Sequence, residues 1–250
     1  MTGVVSIHPS DSVAAQWQPL ARVRTHDLVL AEVERRLAAG DLRSGDRLPA
    51  ERQLADALNV SRGTVRQALR ILEALGVVEA GTGSGPGSGS RIVSDSGAGL
   101  AMVLRIHLQL ASFRLDELAE VYGLVVSKAA RKAVVKATPA DLDGLRELVV
   151  AAHRARGIEA GTVTAAFMKS VAQISGNRLL AVLSGAMQDA ARSAFTLSPI
   201  SNPQPPLGFT YGAIVDAIAD GDVEAVSELV SAHVRDLCAA SGVADFERAG

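Results

Sequence analysis

Three arginines recur at i, i+4 and i+8 in the segment LPAERQLADALNVSRGTVRQALRILEALGVVE: Arg62, Arg66 and Arg70. On a helix that spacing lines three guanidinium groups along one exposed stripe, with Gly63 and Gln67 beside it. Val65, Ala68, Leu69, Leu72 and Leu75 fall on the inward side at helical spacing. Ser61 is a good N-cap, and the helix it starts offers free backbone N–H groups and a positive dipole end near Arg62 to Thr64, where a phosphate is favoured. An arginine can donate two hydrogen bonds to guanine O6 and N7 in the major groove, and Gly63 lets a backbone approach closely. This is the chemistry of a helix that reads DNA. On an ordinary surface helix the same stripe would be a solvated charged face.

Other chemistries find little footing. The five histidines, His8, His26, His107, His153 and His233, are scattered, and no Ser-His-Asp arrangement or paired-carboxylate motif can be placed. The single cysteine, Cys238, has no reactive context and cannot form an internal disulfide. The glycine-rich stretch GTGSGPGSGS contains neither GxGxxG nor GxxxxGK[ST]. The chain is therefore expected not to be an enzyme.

The elements that must position the arginines follow from the rest of the chain. A length of 250 residues is comfortable for two domains, and 48% hydrophobic residues with only 3% aromatics leave the cores to Ala, Val and Leu, which suits packed helices. The net charge of −2 is unevenly spread: residues 22–70 hold ten arginines against seven acids, while the remainder carries 15 basic residues against 20 acids. No apolar run reaches the length of a membrane span; the nearest, Leu100 to Phe113, is interrupted by Arg105, His107 and Gln109. With no signal-peptide pattern, a cytoplasmic protein is expected.

Residues 1–21 read as a loose N-terminal arm. Residues 22–94 read as one domain. Thr25 can cap a helix bearing Leu28, Val29, Val33 and Leu37, which Gly40 ends in a left-handed conformation. Arg47-Leu48-Pro49 is long enough only for a β-bridge, two short helices fill Ala50 to Leu75, and Val77-Val78-Glu79 with Arg91-Ile92-Val93 form a hairpin around GTGSGPGSGS, flexible by composition. Residues 95–99 read as a linker. Residues 100–250 then form six or seven helices, one opened by Thr138-Pro139, another closed by Ser175-Gly176-Asn177, and the last two following the loop SPISNPQPP.

The first domain resembles the winged helix-turn-helix of the GntR family of bacterial transcription factors. The resemblance rests on the leucine-proline start, the Glu51-Arg52 pair, the Ala55 and Leu58 packing positions, the Val60-Ser61-Arg62 turn and the Arg66-Gln67-Ala68-Leu69 core. It implies DNA contacts from Arg52, Ser61, Arg62, Thr64 and Arg66, to which the helix chemistry adds Gly63, and a wing that approaches the minor groove. The wing here is longer than usual and carries no Lys or Arg before Arg91.

In its helix layout, its Ser175-Gly176-Asn177 turn and its closing pattern Ile214-Val215-Asp216-Ala217-Ile218 followed by Gly221-Asp222, the helical remainder resembles the FadR subfamily, whose C-terminal bundle senses a small molecule and forms the dimer. Many members hold a metal there with one Asp and three His; at the matching positions this chain has Thr164, Met168, Tyr211 and His233, a set that does not suit Zn²⁺ or a harder cation, so no metal and no other cofactor is expected. Tyr122 and Val126 stand where relatives place an arginine anion grip and a glutamate. A cavity lined by Tyr122, Val126, Thr164, Met168, Tyr211 and His233 would be nearly neutral and suit an apolar effector, with an acyl chain the natural candidate. The same six side chains could instead simply fill the core, His233 sharing an apolar face with Val226, Val230 and Leu237. The expected partners are operator DNA as an inverted repeat, a second copy of the chain and a small-molecule effector. Without an effector, the bundle would be only a dimerisation scaffold.

Overall fold

In the computed structural model, which describes residues 25–81, 89–93, 97–195 and 207–240, the helices follow the apolar periodicity closely. The expected N-terminal arm, the body of the wing and the SPISNPQPP loop lie outside the described residues. The first elements are α1 (Thr25–Ala39), α2 (Glu51–Leu58), α3 (Arg62–Ala74), β1 (Val78–Glu79) and β2 (Arg91–Ile92). Seven helices follow: α4 (Gly97–Gln109), α5 (Leu115–Lys136), α6 (Pro139–Arg154), α7 (Gly157–Ile174), α8 (Arg178–Phe195), α9 (Leu207–Ala219) and α10 (Val223–Ala240). By contacts the chain divides into two compact units, residues 1–72 with 80–92, and residues 73–79 with 93–250.

In the first unit, Val29 and Val33 of α1, Ala55 of α2, and Val65, Ala68, Leu69 and Leu72 of α3 are buried. Leu28 and Leu75 depart from the expected inward faces, at 56% and 45% exposure. Leu28 sits one residue, about 100° of helix, off the Val29–Val33 line. Leu75 lies beyond the last residue of α3, where helical periodicity no longer aims the side chain. Gly40 ends α1 with φ +78, as its position predicts.

The expected bridge forms between Arg47 and Arg91, antiparallel, with the Leu48 N–H donating to Ser90 O at 2.8 Å and the Ile92 N–H to Asp46 O at 2.8 Å. Two glycines of the wing stretch are tightly packed rather than free: a Cβ on Gly81 would run into Gly89 O, and one on Gly89 would lie 2.6 Å from Leu48 O. The absence of a side chain at these positions lets three backbone segments close on one another at the base of the wing.

Apart from β1, the elements of the second unit are helices. Capping accounts for several of its boundaries. Thr138 caps α6 by accepting the Asp141 N–H at 3.2 Å, while the Thr138 N–H donates to Asp141 Oδ2 at 2.9 Å and Pro139 occupies the first turn. Asn177 accepts the amides of Leu179 and Leu180 to start α8. Helix α4 begins at Gly97, inside the stretch expected as linker. One core cluster joins α5, α6, α7, α9 and α10 through residues that include Val126, Leu145, Phe167, Tyr211 and Val230. A smaller one joins Leu115 and Leu118 of α5 to Ala190 of α8, with Leu104 and Leu108 of α4 packed against it. Among the described residues no helix is long and apolar enough to cross a membrane.

Candidate functional site

The turn between α2 and α3 is set by Asn59, which ends α2 in the left-handed region at φ 52 and directs its N–H to Ala55 O and Asp56 O. Asparagine tolerates that conformation better than most residues, so the sequence carried a signal for the turn at Asn59 that the motif around Ser61 overshadowed. Ser61 then caps α3: its Oγ accepts the Thr64 N–H at 3.0 Å and lies 2.8 Å from Thr64 Oγ1. The remaining first-turn amides have no partner inside the helix and form an anion site in waiting.

Arg62, Arg66 and Arg70 are exposed, and so are Arg52, Ser61 and Gly63; Thr64 is half-buried. The four buried apolar residues of α3 hold its other face, which fixes the direction of the stripe. One feature was not read from the sequence. Arg66 is held by Glu51 across the two helices, its Nη2 donating to Oε2 at 2.7 Å and its Nε reaching Oε1 at 3.1 Å and Oε2 at 3.2 Å. The Arg66 hydrogen bonds hold the Glu51 carboxyl below the usual range, and the nearby charges of Arg62 and Arg70 push the same way. Glu51 thus faces the whole stripe. Arg62, Arg70 and Arg52 have no carboxylate hydrogen-bonded to them among the described residues.

Gly63 sits in α3 without a positive φ, and a Cβ built there meets nothing closer than Ser61 Oγ at 3.6 Å. Nothing among the described residues demands a glycine there. Gly63→Ala should therefore raise stability by roughly 0.5 kcal/mol or more, because alanine is the better helix former, while lowering affinity for duplex DNA if the backbone there meets phosphate. Paired thermal unfolding and gel-shift titrations check both signs; an alanine variant that binds DNA as well as the parent removes Gly63 from the interface.

In the helical unit the six expected pocket residues are all buried: Tyr122 and Val126 on α5, Thr164 and Met168 on α7, Tyr211 on α9 and His233 on α10. Three of them are joined. Tyr211 donates its O–H to Thr164 Oγ1 at 2.8 Å, and its oxygen lies 3.2 Å from His233 Nε2. The tyrosine has one hydrogen, so with that hydrogen on Thr164 the contact to His233 is made by Nε2–H donating to the phenol oxygen. The ring of Tyr211 stacks on Phe167 at 4.1 Å with planes 5° apart, and His233 meets it edge-on at 5.1 Å. Burial holds the His233 imidazole down to about 4, a shift that Asp236 opposes; burial pushes the Tyr211 phenol up.

These residues do not fit a metal. The sole imidazole among the four matched positions has its Nε2 committed to Tyr211, Thr164 Oγ1 is likewise engaged, and the others offer a thioether and a phenol. Among the described residues no group of three or more His, Cys, Asp or Glu gathers at one place.

Residues 25–86 match the model of "Bacterial regulatory proteins, gntR family", and residues 117–236 match the FCD domain. The chain is 32% identical over 134 residues to the Exu regulon transcriptional regulator of Escherichia coli, a match that covers 54% of this chain and 49% of that relative. It thus spans about half the length of that relative. An uncharacterised HTH-type transcriptional regulator of Mycobacterium tuberculosis is 28% identical over 225 residues, 87% of this chain and 90% of the relative. The HTH-type transcriptional repressor NanR of Citrobacter rodentium is 26% identical over 236 residues, 89% of this chain and 87% of the relative. Among solved structures, the Streptococcus agalactiae GntR has the same fold, with a TM-score of 0.55 at 22% identity over 85% of this chain and 97% of that one.

Proposed function

Because the chain belongs to the GntR family of bacterial regulatory proteins and joins that family's helix-turn-helix to an FCD domain, we propose that it is a sequence-specific DNA-binding transcriptional repressor of the cytoplasm. It binds an inverted-repeat operator as a homodimer, one α3 per half-site. The observation that carries this reading is the exposed Arg62, Arg66 and Arg70 stripe on a helix capped by Ser61. Arg52, Ser61, Arg62, Gly63, Thr64 and Arg66 make the contacts, within a DNA-binding domain over residues 22–94. The second copy has apolar surface available to it: Val103, Ile106 and Leu110 are exposed on or at the end of α4 at i, i+3 and i+7. The test is selection of bound fragments from genomic DNA with the purified full chain, followed by footprinting. Two protected half-sites about one helical turn apart are expected; binding without sequence preference sinks the reading.

The helical domain, residues 100–250, releases the operator on binding a small effector without a metal, its pocket lined by Tyr122, Val126, Thr164, Met168, Tyr211 and His233. With Tyr122 in place of the anion-gripping arginine and Val126 in place of a glutamate, an acyl-type ligand of the FadR kind suits the lining best. A second reading is favoured by the closed Tyr211 network: its polar atoms already satisfy one another, as they would in a core that serves only to hold two DNA-binding domains. A thermal-shift series with acyl compounds, organic acids and Zn²⁺ separates the readings. Stabilisation by acyl compounds supports the sensor, silence supports the scaffold, and stabilisation by Zn²⁺ overturns the metal-free site.

A further inference from the structure

Helix α5 carries a second line of cations that DNA reading leaves unused. Lys128, Lys132 and Lys136 recur at i, i+4 and i+8, and with Arg131, Val135 and Val223 they line a surface groove of about 310 Å³. Arg131 is fixed on one wall by a two-pronged pair with Glu224 of α10, Nη1 to Oε2 at 3.0 Å and Nη2 to Oε1 at 2.8 Å. None of the three lysines has a carboxylate partner among the described residues. Like charges at i, i+4 on one helix repel. In α3 a facing glutamate answers the same spacing; among the described residues no carboxylate pairs with the lysines of α5. The Lys136 ammonium group lies against the turn at Gly176, where a Cβ would come within 2.5 Å of Nζ. The residues that line the groove include four cations, Lys128, Arg131, Lys132 and Lys136, and no carboxylate.

We propose that this groove binds a phosphate-bearing small molecule of about nucleotide size, its phosphate oxygens held by Lys128, Lys132 and Lys136 and its body resting on Val135 and Val223. Three unpaired ammonium groups call for a ligand of more than one negative charge, which a phosphate ester supplies and a single carboxylate does not. The groove has the volume for such a ligand, and its two valines give the non-phosphate part an apolar surface. It shares no residue with the buried Thr164, Tyr211 and His233 network, so a ligand here is a second input, independent of the pocket proposed above.

The test is calorimetric titration of the full chain at low salt with pyrophosphate, ATP and GTP as probes, in an Arg62→Ala, Arg66→Ala background so that the recognition helix contributes nothing. At least one nucleotide should bind, more tightly than pyrophosphate, and Lys128→Gln with Lys132→Gln should weaken it roughly tenfold or more. Thermal unfolding of the lysine variant without ligand should be no lower than that of the parent, because repulsion along α5 is relieved. Equal binding by the lysine variant, or no heat with any probe, overturns the proposal. Nucleotides that bind no better than pyrophosphate overturn the role of the valines. Lysine-dependent binding of unrelated duplex DNA with no response to the small probes overturns it in favour of a polyanion surface.

Discussion

Replacing Arg62 by alanine should weaken operator binding by roughly 1–3 kcal/mol, about five- to 150-fold in Kd, and relax discrimination at the base pair it meets. Arg62 stands in the first turn of α3, next to the Ser61 cap, exposed and with no carboxylate hydrogen-bonded to it among the described residues. Its guanidinium can therefore reach DNA without first giving up a partner. Arg66 is different, since its fork is occupied by Glu51. To touch a base or a phosphate it must leave or share that carboxylate. The pair is partly exposed, and part of what Arg66 gains from DNA is offset by the carboxylate it gives up, so Arg66→Ala should cost less than Arg62→Ala. Glu51→Gln should act in the opposite direction, tightening DNA binding by freeing Arg66 and removing the negative charge that faces all three arginines.

Salt separates base reading from phosphate contact. If Arg62 reads a base, its alanine variant should lose affinity mainly for the operator, with the dependence on salt little changed. If it holds a phosphate, binding to operator and unrelated DNA should weaken alike and the salt slope should fall by about one. Gel shifts at two or more salt concentrations measure both. Unchanged operator affinity for the Arg62 and Arg66 variants together would remove α3 from the interface.

Much of this was legible in the sequence because it is local. The i, i+4, i+8 spacing, the Ser61 cap, the Thr138-Pro139 start of α6 and the run from Val223 to Ala240 each depend on residues close together in the chain, and each appears in the structure where the pattern put it. What the sequence did not reveal depends on partners brought together from a distance. Glu51 and Arg66 are 15 residues apart on different helices, and nothing in either helix alone marks the pair. Tyr211 meets Thr164 across 47 residues; the resemblance gathered these positions around one cavity, but that their polar atoms would satisfy one another needed the packed bundle. Gly81 and Gly89 looked like flexible spacer because their composition resembles one, yet their role is set by the Leu48 and Gly89 carbonyls lying against them. Leu75 is exposed although it continues the apolar spacing of α3: an apolar residue at helical spacing carries no mark of whether the helix has already ended.

Between pH 6.5 and about 4 the protein should lose stability through His233, in addition to whatever its surface carboxylates contribute. The imidazole has an ordinary value of 6.5, and burial on α10 holds it down to about 4 in the fold. Above pH 6.5 it is neutral in both folded and unfolded chains and has no effect on the balance. As the pH falls below 6.5 the unfolded chain takes up a proton that the folded one refuses, so unfolding is favoured progressively until about pH 4, where the folded form is protonated too. The full difference is about 3 kcal/mol, at roughly 1.4 kcal/mol for each unit. His233→Gln, which removes the titration while keeping a donor, should flatten this part of the curve when chemical denaturation is followed at several pH values, and a variant with the parent's slope rules His233 out as its source. Tyr211→Phe tests the other half of the network. It leaves the Nε2–H of His233 and the hydroxyl of Thr164 buried without the phenol between them, which should cost about 1–3 kcal/mol at neutral pH, while the ring keeps its stack on Phe167. If an effector enters this core by parting Tyr211 from its partners, the same substitution should tighten effector binding even as it weakens the fold. A core that is only scaffold should show the loss of stability alone.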